Sequence, residues 1–461
     1  MKWRIVLAVL FVLTLFGAFA YLYVNTFVRK RQHAVILFVV NGLDLNLLNV
    51  ARQQLGRGPI STDPDDPGIG DARRRVAIRS GELHLDSFWN VALMSVQQAG
   101  QPVPDPGADA TALACGTRVE NGYVATNSRG ETLPQLIYAA ARAGRATGLV
   151  TTSSLVQPTP VAFYSSTKGT PEPYRNAADL VYSGIDVVMG GGESYFTTAN
   201  ATNEYGRRDG RNLLAEAKGR GYSVIETRDE LNNVSPWRTR EMLGLFAPGQ
   251  FYFSSLQPDH DRQPTLADMT RAAISSLNYN IGGYFLVVEH GLVARAAGQN
   301  LGKLAVNEVA EVDEAVQAAV DYAGPDALVI VTDNYSLGSI GQVLPVAGVE
   351  PPAAVAPAKG ADADAIPVAP IATTMAGFWA TGPGGPARNP AQVAWLKQHY
   401  ASGEFSDTAP GLLQPQPAFQ FQPEASALAG PAWLLSRGEG STQFRGCFNN
   451  TDLYDLVTEQ F

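Results

Sequence analysis

The residues able to do chemistry are few, and most lie near the ends of apolar runs. The histidines are His33, His84, His260, His290 and His399. His260 stands between two aspartates in PDHDR, a pattern that invites a metal, although a polar turn before a helix explains it better. His290 directly follows Glu289. On a strand these two side chains point to opposite faces, which argues against a joint site. Asp44, Asp105, Asp109, Glu289, His290 and Asp333 could converge as an oxygen-rich site suited to magnesium or calcium. Aspartates at helix starts are more often caps. Thr111 offers a hydroxyl nucleophile, but from inside an expected helix. Gly190, Gly191 and Gly192 suggest a phosphate cradle without the following Lys-Ser/Thr of a P-loop, so a strand-ending turn is the expectation. His84 and His399 belong to no motif, and His33 reads as a linker residue. Arg73–Arg75 with Arg79 reads as a solvated surface patch.

Positioning these groups falls to alternating strands and helices. Ala34–Val40 (AVILFVV) is apolar at every position and ends in an Asn41-Gly42 turn, the signature of a buried central strand. The patterns predict strands at Thr147–Thr152, Ile185–Met189, Tyr284–Glu289 and Ala327–Thr332, and another from Ala432. Helices are predicted over Thr132–Ala143, Thr265–Asn278 and Asn307–Ala323, and near Asp452–Glu459. Strands apolar on both faces between helices define an α/β fold: a large central, mostly parallel β-sheet sandwiched by helices. Residues 349–370 are Ala/Pro-rich and 412–423 Pro/Gln-rich, and neither composition can bury much surface.

The 461 residues carry 45 % hydrophobic and 17 % charged side chains with a net charge of −9. This is globular composition, and it argues against a nucleic-acid partner. Only Cys115 and Cys447 are present, so no disulfide framework follows, and one bridge is conceivable in an oxidising compartment. Residues 5–24 are uncharged and long enough to cross a bilayer as a transmembrane helix. Lys2 and Arg4 precede them and Arg29–Arg31 follow, leaving orientation undecided. A cleavable signal peptide is the rival reading, since Ala18-Phe19-Ala20 offers a small-x-small site. An uncleaved anchor fits the continued apolar run through Val24 better. The organisation read is an anchor and basic linker (1–33) and one domain (34–461).

Several collinear segments resemble the alkaline phosphatase family. They include AVILFVVNGLDL (34–45), VPDPGADATALACGTRVENGYV (103–124), GRATGLVTTSSLVQPTPVAFYSS (144–166) and IDVVMGGGESYF (185–196). FLVVEHGLVARAAGQN (285–300), ALVIVTDNYS (327–336) and FRGCFNNTDLYDLV (444–457) continue the series. The resemblance implies a site at the carboxyl ends of the strands. It also implies a serine nucleophile flanked by two zinc ions with magnesium nearby, an extracytoplasmic domain, and a homodimer.

Transferred residue by residue, that site is largely missing. The first metal-binding aspartate is replaced by Asn41. The nucleophile, which should follow Asp105, is Pro106. The acid or histidine before the matching Thr159 is Gln157. Ala294 and Gly298 stand where a zinc-binding Asp-x-x-x-His pair belongs, and Asn334 and Tyr335 where a later Asp-His pair belongs. Glu289 is retained, so Glu289 and Thr159 are the surviving metal candidates. The last zinc histidine has no counterpart in Phe419–Pro431, where Ala427 is the nearest match. A phosphate-clamping arginine would fall near Gly169 or Thr170, beside Lys168 and Arg175. The expectation is a membrane-anchored pseudophosphatase without cofactors, acting on a protein partner or an anionic ligand. The alternatives are a zinc- and magnesium-dependent hydrolase of phosphate or sulfate monoesters with a rearranged site, and an anion binder using the vestigial pocket.

Overall fold

The computed structural model describes residues 2–23, 34–55, 83–96, 103, 105–200, 203–257, 262–337, 340–343, 376–382, 391, 418–421, 427–428 and 430–461. His33, His260, His399, the arginines at 73–79 and the 349–370 segment lie outside them, as does most of 412–423.

Ten strands form the main sheet: β1 (Ala34–Val40), β2 (Asn90–Ser95), β3 (Ala146–Ser154), β4 (Val187–Gly191), β5 (Ser223–Ile225), β6 (Met242–Leu245), β7 (Tyr284–His290), β8 (Leu328–Asp333), β9 (Ala432–Arg437) and β10 (Gly446–Asn449). Their order is β10-β2-β9-β8-β1-β7-β3-β4-β6-β5. Only β9 runs against the rest, pairing antiparallel with both β8 and β2. The expected mostly parallel sheet is present, with β1 at its centre between β7 and β8.

Burial explains why β1 reads as apolar throughout. Ile36, Phe38 and Val40 enter the core on one face, and Val35, Leu37 and Val39 the core on the other. A fully buried side chain of this size contributes about 1.5–3 kcal/mol, so β1 anchors both layers. The first layer includes α2 (Leu45–Leu55), α6 (Leu266–Leu277) and α7 (Gly302–Ala323). The second includes α3 (Pro106–Cys115), α4 (Leu136–Arg142), α5 (Pro173–Val181) and α8 (Asp452–Thr458).

Several boundaries differ from expectation, β4 for instance running Val187–Gly191 and not Ile185–Met189. α4 starts at Leu136, not Thr132, because Pro134 disfavours helix at Leu133 and Thr132 instead bridges Thr126. α7 begins five residues earlier, at Gly302, where Leu304 and Ala305 are already buried. β3 runs on to Ser154 through a hydroxyl-rich end. Cys115 and Cys447 are both free, one buried and one exposed.

The segment expected to cross a membrane forms helix α1, Lys2–Tyr23. Its described side chains, including Leu10, Phe11, Leu13, Phe16 and Phe19, are exposed. Among the described residues no helix is long and apolar enough to cross a membrane.

Candidate functional site

Alternation along the strands sorts the candidate residues onto two faces. At the carboxyl ends, Glu289 of β7 and Thr151 of β3 join Asn41, just past β1, and Asn334, just past β8. All are buried. Thr159, in the short helix Pro158–Val161, closes the group from above.

These side chains form a chain of donors that ends on one carboxylate. Asn334 Nδ2 donates to Asn41 Oδ1 at 3.1 Å and lies 3.1 Å from the Pro106 carbonyl and 3.3 Å from Thr159 Oγ1. Asn41 Nδ2 donates in turn to Glu289 Oε1 at 2.5 Å. Thr151 Oγ1 donates to Glu289 Oε2, and Ser153 Oγ to Oε1 at 3.1 Å. Burial raises the Glu289 carboxyl above its ordinary range, opposed by the bonds from Thr151 and Ser153 and by neighbouring His290. Neutral amides and hydroxyls therefore stand where the family resemblance implies cations.

Pro106, where the resemblance would put a nucleophile, lies at a helix start. Asp105 caps α3, accepting from Ala108 N at 2.7 Å and from Gly122 N at 2.5 Å, and Pro106 takes the first helical position. Both carboxylate oxygens thus serve backbone donors. Thr111 is no substitute: its hydroxyl donates to the Gly107 carbonyl at 2.7 Å and accepts from Ala125 N at 2.8 Å. Its only proton is committed within the helix. Gln157 is exposed, while Ala294 and Gly298 are buried in the helix Leu292–Gly298. A side chain on Gly42 would meet the Ala294 backbone at 2.6 Å. That contact clamps the end of β1, whose Gly42 N–H also donates to the Tyr335 carbonyl at 2.8 Å.

The remaining acids do not assemble with Glu289. Asp44 caps α2 through Leu47 N at 2.7 Å. Asp109 accepts from Asn450 Nδ2 at 2.6 Å, and burial holds its carboxyl well above the ordinary range. Asp333 accepts from Trp433 N at 3.0 Å; burial, then the charges of Asp109 and Asp44, raise it similarly. His290 turns to the opposite face, as the alternation requires. There Thr152 Oγ1 lies 3.1 Å from Nδ1, and Glu308 Oε2 lies 3.2 Å from Nε2. Among the described residues no group of three or more His, Cys, Asp or Glu could hold a metal ion. One carboxylate and two amides whose NH2 groups point inward do not fit two zinc ions.

The basic side chains near the expected clamp position are engaged elsewhere. Lys168 Nζ donates to the Ser128 carbonyl at 2.9 Å, and Arg175 pairs with Glu172 at 3.2 Å. Of the three glycines, Gly190 and Gly191 end β4 and Gly192 follows it with a positive φ, its N–H donating to the Ala247 and Gly249 carbonyls. Thr151 and Ser153 are the site residues the sequence reading did not single out. The signal available was the hydroxyl run TTSS at the end of a strand beside β7.

Fold and site together define an open α/β protein with a buried group of amides, hydroxyls and one carboxylate at the strand ends. The alkaline phosphatase family model matches residues 69–364. An alkaline phosphatase from Gadus morhua is 28 % identical over 353 residues, 68 % of this chain and 70 % of that one. Alkaline phosphatase 4 of Bacillus subtilis is 34 % identical over 244 residues, 51 % of this chain and 50 % of that relative. The solved alkaline phosphatase of Thermus thermophilus superposes with a TM-score of 0.65 at 22 % identity, covering 94 % of this chain and 92 % of its own. The enzyme of the Antarctic bacterium TAB5 gives 0.63 at 20 %, covering 94 % and 98 %. The chain belongs to the alkaline phosphatase family.

Proposed function

We propose that this is a membrane-tethered alkaline phosphatase homologue that does not hydrolyse phosphate esters and acts by binding. The observation that carries the reading is the Asn334–Asn41–Glu289 network. It satisfies the one surviving metal carboxylate with neutral donors, while the nucleophile position holds Pro106. A site whose hydroxyls and amides bond one another and Glu289 offers no oxygen at the nucleophile position and too few ligands for two dications. An anion is poorly served too, because Asp105 occupies the α3 N-terminus that would attract it. The uncharged run in α1 and its exposed apolar side chains support the tether, and the family resemblance favours the extracytoplasmic side for the domain. For a protein partner, the outward row Val91 and Leu93 of β2 beside exposed Cys447 is a suitable apolar surface, and a second copy is the first candidate.

The test is elemental analysis of the purified full chain, together with aryl phosphate and aryl sulfate assays in zinc and magnesium. The expected result is substoichiometric metal and no turnover above the buffer rate. Metal-dependent turnover lost in Glu289→Ala would establish the rearranged hydrolase instead.

A further inference from the structure

The edge of the sheet opposite the pocket carries a row of exposed aromatic and apolar side chains. At the amino ends of the strands, Trp89 precedes β2, Tyr322 precedes β8, Tyr279 and Ile281 precede β7, Tyr182 precedes β4 and Trp237 precedes β6. Ile281, at the tip of its turn, is 96 % exposed, and the other five are all more than half exposed. Neighbouring strands lie about 4.8 Å apart, so from β2 to β6 the row extends over roughly 30 Å. Three of the aromatic rings carry an arginine: Arg437 over Trp89 at 5.3 Å, Arg220 over Tyr182 at 4.5 Å and Arg238 over Trp237 at 4.4 Å. Aromatic rings and arginines that keep their charge in water are the side chains favoured at a lipid headgroup boundary.

The same edge is where the chain enters the domain. Ala34, the first residue of β1, pairs with Tyr284, the first of β7, directly after the Ile281 turn. Ten residues separate Tyr23, the end of α1, from Ala34, so covalent geometry limits the gap to about 40 Å. A bilayer holding α1 is therefore within reach of this edge and is its nearest large apolar surface. Because this rests on the tether proposed above, the occupant is fixed by the chain's own connectivity.

We infer that the amino-end edge of the sheet docks on the bilayer, with Ile281 and Trp237 at the lipid boundary. The pocket edge then faces away, displaced by the length of β1, roughly 23 Å for seven residues. Exposed Glu241, Asp326 and Glu439 share the docking edge with Arg220 and Arg238. The charge is mixed, so zwitterionic lipid serves as well as anionic lipid.

The test compares hydrogen exchange of the full chain in phosphatidylcholine nanodiscs and in detergent. Amides of 279–283 and 235–241 are expected to exchange about tenfold more slowly in nanodiscs, with residues 41–44 and 333–335 unchanged. Ile281→Asp should abolish the protection at 279–283 while the chain stays in the disc. Equal exchange in both media, from a chain that resists alkaline carbonate extraction, overturns the docking and leaves the tether standing. Release of the chain by carbonate overturns both.

Discussion

Glu289 and His290 are neighbours at the end of one strand, yet their surroundings follow opposite rules. Glu289, on the pocket face, is held by amides and hydroxyls. His290, on the other face, meets the carboxylate of Glu308, whose second oxygen accepts from Ser254 N at 2.7 Å and Ser254 Oγ at 2.9 Å. The 3.2 Å His290–Glu308 contact lacks hydrogen-bond alignment and is a close polar contact between two buried side chains. The pocket face surrounds its carboxylate with amides and hydroxyls, while the back face sets an imidazole against a carboxylate and so ties β7 to α7.

The back face should be the more costly to disturb. Glu308→Ala leaves His290 without its carboxylate and the Ser254 backbone donor unpaired, a loss of about 3–5 kcal/mol. Urea unfolding of the full chain measures it, and a change below about 1 kcal/mol would show that the contact carries little.

On the pocket face, Asn41→Asp puts a second carboxylate against Glu289 where an amide now donates. A loss of about 2–4 kcal/mol is expected at pH 8. Like charge and burial raise the folded-state affinity of the pair for a proton. The penalty therefore shrinks as pH falls toward 5 and grows as pH rises through the raised values. Unfolding midpoints at the two pH values test the sign, and a penalty independent of pH would argue for a packing effect.

The fold was more legible than the site, and the reason is physical. β1, β7 and β8 are buried on both faces, so their apolar runs left no other reading. The boundaries of α4 and α7 depended on Pro134 and on where burial begins, which periodicity resolves poorly. In the site, the residue types at the positions the resemblance assigns were legible, because Pro106 carries no nucleophilic atom and Ala294 no ligand atom. The replacement network was not, since Thr151 and Ser153 in a strand look like ordinary β-formers until Glu289 is seen between them. The alternation that separates Glu289 from His290 was readable from their adjacency alone.

Asp109 offers a smaller contrast within the second layer. Burial raises its carboxyl above the ordinary 3.8, so the folded state binds the proton more tightly than the unfolded state. That contribution to stability is fully present below about pH 4 and is lost as pH rises through the folded value. Asp109→Asn keeps an acceptor for Asn450 and removes the charge. It should stabilise the chain by about 1–3 kcal/mol at pH 8 and have little effect at pH 4, measured by unfolding at both. A variant equally destabilised at both would mean that Asp109 Oδ2 has a donor that the variant loses.

Pro106→Ser is expected to have the smallest effect, and it bears most directly on the functional reading. The position is the first of α3, where proline costs no hydrogen bond and serine fits as well, so stability should change by less than about 1 kcal/mol. The new hydroxyl would restore the missing oxygen at the helix N-terminus without restoring anything to activate it. Asn41 and Asn334 would still present amides, and Ala294 and Gly298 no ligands at all. Aryl phosphate turnover in zinc and magnesium should therefore match the unmodified chain. Should this one substitution yield zinc-dependent hydrolysis, the neutral network must open to admit cations, and Pro106 alone would separate this chain from an enzyme.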